Sequence, residues 1–136
     1  MNSNEYFKKV YTIAFRLTGE ELQASDIAVL AIERTATINS SENVSSNMLL
    51  HTAKEVCRIF LLEFEAQNEQ NKTSSEPLQN ALLSLEPLNR TTIVWRDILG
   101  YKIDDLSQTV KYTKQELYSE LNNGRKKLKL QLMDAV

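Results

Sequence analysis

Residues 85–130 read LEPLNRTTIVWRDILGYKIDDLSQTVKYTKQELYSELNNGRKKLKL. Their apolar positions recur at helical steps, and Gly100 and a turn divide them. The spacing predicts a helix from Leu88 to Leu99, closed by Gly100, because glycine accepts the left-handed conformation that ends helices. A helix from about Ile103 to Thr109 follows, then a short turn through Lys111 and Tyr112. Thr113 and Glu116 form a capping box that starts the last helix, which extends to about Met133 with Leu117, Leu121, Leu128 and Leu132 inward. Two short helices joined by a tight turn make a helix-turn-helix, whose second helix can lie in the DNA major groove. Any small helical bundle contains such pairs, so the pattern alone does not single out that use.

Outward from this segment the chain stays helical. Pro77 suits the first turn of a helix over Leu78 to Leu85, with Ser75 as its N-cap. Gln67 to Glu76 (QNEQNKTSSE) contains no apolar residue and reads as a linker, or as a frayed helix end followed by one. Before it, Tyr6, Phe7, Val10, Tyr11, Ala14 and Leu17 line one helix face that Thr18-Gly19 terminates. A second helix from about Glu20 to Ala36 turns Leu22, Ile27, Leu30 and Ala31 inward. Asn39 to Asn47 is a polar loop. A third helix uses Leu49, Ala53, Val56, Cys57, Phe60 and Phe64. The expected fold is all-α with two small helical lobes, 1–66 and 77–136, joined by the linker 67–76, and the second lobe carries the helix-turn-helix.

Composition agrees and excludes much. The 136 residues are 42% hydrophobic and 25% charged, as in soluble globular proteins, and only 3 Gly and 2 Pro leave little for the tight turns of an all-β fold. Cys57 is the single cysteine, so no intramolecular disulfide forms and a reducing compartment is expected. One histidine, His51, and one cysteine cannot build a Cys/His zinc site. Gly19, Gly100 and Gly124 are too far apart for a phosphate loop. No signal-peptide run or membrane span is read, so a cytoplasmic protein that needs no cofactor, metal or membrane is expected. Nothing points to an enzyme. Trp95 and Cys57 read as core, His51 as surface, and Asp104-Asp105 as helix-start chemistry.

The segment 85–130 resembles, without a gap, the fourth conserved region of bacterial sigma-70 family factors. Leu85, Arg90, the apolar run Ile93-Val94-Trp95, Arg96-Asp97 and Gly100 match that region's opening. Asp105-Leu106-Ser107 stands where the family has its acidic-Ile-Ala triplet, and Arg125-Lys126-Lys127-Leu128 matches its closing basic run. Tyr11 to Gly19 (YTIAFRLTG), with Ala24-Ser25-Asp26-Ile27 and Arg34, looks like the second conserved region of the small extracytoplasmic-function type. The resemblance implies docking on core RNA polymerase and promoter opening by the first lobe. It implies that the second lobe reads the upstream promoter element and touches the polymerase flap.

Several positions depart from the pattern. In the recognition helix, Tyr118, Glu120 and Asn123 replace the three usual cations, while Leu117 and Leu121 are kept. Phosphate contacts carry much of DNA affinity, so each change could remove on the order of 1–3 kcal/mol of binding. The first lobe has Ala28-Val29-Leu30 where the family docks through Val-Gln-Glu. Its melting-surface stretch aligns with Met48 to Glu55, and Leu62-Glu63-Phe64-Glu65 replaces the basic run. The net charge of −2 resolves into 7 Lys/Arg against 11 Asp/Glu in residues 1–84, or −4, and 9 against 7 in residues 85–136, or +2. Ten extended linker residues reach about 35 Å, against promoter elements on the order of 50 Å apart, so the span is tight.

Two functions follow as expectations. The first is a sigma-factor-like transcription initiation protein. Its DNA-contacting residues are Lys111, Thr113, Lys114, Gln115, Tyr118, Ser119, Asn122, Arg125, Lys126 and Lys129, and its polymerase-contacting residues are Asp26, Ile27, Leu30 and Arg34. Its partners are core RNA polymerase, promoter DNA bound weakly or conditionally, and a protein regulator such as an anti-sigma factor. The second is a diverged sigma-like regulatory protein that binds polymerase or another protein without reading promoters by itself. The Arg125 to Lys129 cluster fits either a phosphate- or polymerase-contacting patch or a solvated helix end favoured by the dipole.

Overall fold

In the computed structural model, which describes residues 1–35, 44–64 and 73–134, the described residues form seven helices and no strand. The all-α expectation holds. Helix α1 (Ser3–Thr18) starts where the Asn2 side chain accepts the Glu5 N–H at 2.8 Å and ends at Gly19, with φ 67°. Helix α2 (Glu21–Thr35) is started by the Glu20 carboxylate, which accepts the N–H groups of Leu22 and Gln23. Helix α3 (Ser46–Ile59) is capped by Ser45 and widens into a π-helical turn, Phe60–Phe64.

These three helices pack through Val10, Ile13, Ala14 and Leu17 of α1, Ala24, Ile27, Ala28 and Ala31 of α2, and Ala53, Val56, Cys57 and Ile59 of α3. Each larger apolar side chain so buried stabilises the fold by roughly 1.5–3 kcal/mol. The inward stripe differs from the expected one. Ile27 and Ala31 are inward as expected, but Leu22 is 75% exposed, Phe7 lies at the surface, and the small residues Ala24 and Ala28 join the inward face. Small side chains let two helices approach closely, and that closeness rotates the larger ones off the contact line. A buried hydrogen bond between the Tyr6 and Thr52 hydroxyls ties α1 to α3.

The second half holds α4 (Pro77–Leu83), α5 (Pro87–Ile93), α6 (Ile103–Ser107) and α7 (Lys114–Asp134). Proline stands in the first turn of both α4 and α5, where its missing N–H costs nothing. The N-cap of α4 is Glu76, not Ser75, and its side chain makes no cap bond. The expected single helix over 88–99 is α5 followed by a π-helical turn, Val94–Ile98, in which the Leu99 N–H reaches back to the Val94 carbonyl. The widened turn accompanies three consecutive buried apolar residues, Ile93, Val94 and Trp95. Gly100, with φ 78°, closes it as expected. The Trp95 indole N–H donates to the Lys102 carbonyl at 2.7 Å, and its ring packs on Tyr101. Trp95 and Cys57 are core and His51 is exposed.

The two halves are joined by more than the polar stretch. The last carbonyls of a helix have no partner within it. At the end of α1 they are met from the second half. The Gln79 amide donates to Phe15 O and Arg16 O at 3.3 and 3.2 Å, and the buried Arg90 guanidinium donates to Leu17 O at 2.7 Å. Arg90 also donates to the carbonyls of Leu82 (2.8 Å), Leu83 (3.3 Å) and Leu85 (2.7 Å), and lies over the Phe60 ring. A cation at a helix C-terminus is also favoured by the dipole. Arg16 pairs with Glu76 at 2.9 Å. The apolar core is continuous across both halves, from Leu17 and Ile27 to Trp95 and Leu106. Of the stretch read as a linker, 67–72 lies outside the described residues, as do 39–43 of the polar loop. Ser74 to Glu76 are hydrogen-bonded into the start of α4 and to Arg16.

Candidate nucleic-acid interface

Helix α7 is the long exposed element of the second half, and three features hold it. The capping box forms reciprocally: the Glu116 N–H donates to Thr113 Oγ1 at 3.1 Å, and the Thr113 N–H donates to Glu116 Oε1 at 3.2 Å. Leu117 and Leu121 are buried, and Leu128 and Leu132 are half-buried. Gly124 is buried against α5, where an added Cβ would lie 3.1 Å from Ile93 Cγ1 and 3.3 Å from the Asn89 carbonyl. Asn89 completes the attachment, donating to the Glu120 main-chain carbonyl at 3.2 Å and to its carboxylate, and accepting from Lys127 Nζ at 3.2 Å. Helix α6 lies ahead of α7, with Ile103 and Leu106 buried and Val110 anchoring the connection.

The expected DNA-contacting residues gather on one side of this helix. At about 100° per residue, Lys114, Gln115, Tyr118, Ser119, Asn122, Arg125, Lys126 and Lys129 occupy an arc of about 140°. All eight are exposed, as are Lys111 and Thr113 in the preceding turn. Glu120 does not belong to that arc. Its carboxylate is engaged by Asn89, so it serves helix attachment as well as lowering the local charge.

Two of the cations are held by acids of the same chain. Lys114 Nζ lies 3.0 Å from Asp104 Oδ2, and the Lys114 hydrogen bond, opposed by partial burial, holds the Asp104 carboxyl below its ordinary range. Arg125 makes a two-pronged contact to Asp97, at 2.9 and 2.7 Å. Among the described residues, Lys111, Lys126 and Lys129 have no carboxylate partner. Sequence spacing missed both acids, because Asp97 and Arg125 are 28 positions apart and meet only when α7 packs across α5. Asp104 stands in the first turn of α6, in keeping with helix-start chemistry, and it also holds Lys114.

The expected polymerase-contacting residues divide. Asp26 and Arg34 are exposed and Leu30 is half-buried, all on one stripe of α2. Ile27 is fully buried in the core of the first three helices and offers no surface to a partner. Its position is set by the inward turn of the alanine face. Arg34 binds Glu63 through both nitrogens (2.6 and 3.2 Å) and lies 3.5 Å from Glu55, which Arg58 also pairs. This network ties the end of α2 to α3 and its π turn. Exposed Val29 and Leu22 lie beside the stripe.

No protein-family model and no curated protein matches this chain. No helix among the described residues is long and apolar enough to cross a membrane.

Proposed function

We propose that this chain is a sigma-factor-like transcription initiation protein, in which α6, the turn and α7 act as a DNA-binding helix-turn-helix and the α2 stripe of Asp26, Leu30 and Arg34 meets core RNA polymerase. The observation that carries this reading is the α7 arc. A helix pinned along one side by Leu117, Leu121 and Gly124 presents cations and hydrogen-bonding side chains on another. That arrangement suits a groove, where phosphates meet Lys and Arg and base edges meet Gln, Ser and Asn. The test is transcription from promoter-bearing templates with core polymerase, together with duplex binding across a salt series. Specific transcripts and affinity that falls with salt support it, and the Lys126→Ala, Lys129→Ala pair should lower the salt slope by about 2. Absence of both transcript and salt-dependent binding overturns it.

A second reading is favoured by one specific observation. Lys114 and Arg125 are already neutralised by Asp104 and Asp97, which leaves the arc with less free positive charge than its sequence suggests. On this reading the chain is a sigma-like regulatory protein that binds polymerase or a protein regulator without reading promoters alone. A stable complex with core polymerase in the absence of DNA, and no promoter-specific transcript, would select it over the first.

A further inference from the structure

Between the two halves lies a cleft of about 340 Å³, away from the α7 arc. Its walls are Ile13 of α1, Leu49 of α3, and Val94, Ile98 and Leu99 in and just after the π-helical turn that follows α5. Lys8 and Lys9 also line it, both exposed and, among the described residues, without a carboxylate partner. None of the described residues that line it is acidic, and the third cation there, Arg16, is turned to Glu76. Ile98 is 38% exposed. The volume falls in the range of small-molecule sites, and such sites combine apolar walls with a few placed polar groups.

An apolar cleft lined also by two exposed lysines at consecutive positions is complementary to a ligand with an apolar body and an anionic end. Water on the walls gains by leaving, and the Lys8–Lys9 pair gains by sharing an anion. We infer that this cleft binds an apolar-tailed anion of the medium-chain carboxylate class, with the tail on Ile13, Leu49, Val94 and Ile98 and the carboxylate at Lys8 and Lys9. The site does not depend on DNA or polymerase binding. Because its walls come from both halves, an occupied cleft also holds the halves together.

The full chain carries its own reporter. Trp95 is the single tryptophan, and its ring lies 4.7 Å from that of Tyr101, which lines the cleft. Decanoate, titrated below its micelle threshold, should change Trp95 emission with saturation, and equilibrium dialysis should count one equivalent per chain. Butyrate, with too little tail, and decyltrimethylammonium, with the opposite head charge, should each bind at least about tenfold more weakly. The double variant Lys8→Gln, Lys9→Gln replaces exposed side chains and keeps the fold. It should weaken decanoate binding by about tenfold or more, as should Ile98→Asp. Unsaturable uptake, equal affinity for decyltrimethylammonium, or full binding by the Lys8→Gln, Lys9→Gln variant would each overturn the assignment.

Discussion

The buried Arg90 guanidinium donates to the main-chain carbonyl of Leu17 at 2.7 Å, so a side chain from the second half closes the last turn of the first helix. Three further carbonyls, of Leu82, Leu83 and Leu85, converge on the same group. One planar cation thus fixes the α4–α5 corner and seats it on α1.

Removing that cation should be severe. Arg90→Met keeps much of the volume and removes this donor from the carbonyls of Leu17, Leu82, Leu83 and Leu85, of which Leu82 O keeps the Leu85 N–H at 3.1 Å; each buried acceptor left unpaired costs about 1–3 kcal/mol before relaxation. We expect a net loss of at least about 3 kcal/mol in urea unfolding. Arg90→Lys should recover part of it, since one ammonium cannot reach all four acceptors in the guanidinium's plane. A wild-type unfolding midpoint for Arg90→Met would show that the corner is held by packing alone.

The two left-handed glycines should respond differently to alanine. Gly19 and Gly100 have φ of 67° and 78°, so each substitution carries about 1–2 kcal/mol of backbone strain. Around Gly100 the space is open, whereas a Cβ at Gly19 would meet Leu83 Cδ2 at 2.6 Å. Gly19→Ala should therefore be the more destabilising of the two. Placing Gly19→Ala in a Leu83→Ala background should remove the excess. Equal costs in all three measurements would show that Leu83 moves aside freely.

Stability should fall in acid through the α2–α3 ion network. Hydrogen bonds from Arg58 hold the Glu55 carboxyl below its ordinary range against partial burial, and Arg34 does the same for Glu63. A carboxyl with a lowered folded-state pKa contributes stability that is complete above its unfolded value, about 4.3, and is lost as pH falls through the folded one. Urea midpoints should drop below about pH 4.3, and Glu55→Gln should flatten that drop. An unchanged acid slope in Glu55→Gln would assign the loss to other carboxylates.

Freeing the paired cations of α7 should strengthen DNA binding. Asp104→Asn releases Lys114 and Asp97→Asn releases Arg125. Each variant should bind duplex DNA more tightly at low salt, with a salt slope steeper by about 1. Fluorescence anisotropy over a salt series reads both quantities. Unaltered affinity and slope in both variants would mean that neither cation lies near phosphate.

The amino-acid sequence by itself determined the all-α class, the helix ends at Gly19, Gly100 and Thr113, and the burial of Trp95, Leu117 and Leu121. These features are local. A capping box spans three residues, and a terminating glycine or an apolar stripe acts within its own helix. Spacing also placed Ile27 and Ala31 of α2 inward, but tertiary structure alone decided that Ala24 and Ala28 join them and that Leu22 is exposed. It also decided that Asp97 meets Arg125, that Glu120 meets Asn89, and that Arg90 and Gln79 close α1 from the other half. Those contacts join residues roughly 30 to 70 positions apart. Their geometry depends on how closely helices approach, which is set by side-chain volumes on both partners at once, whereas periodicity along one helix records only its own.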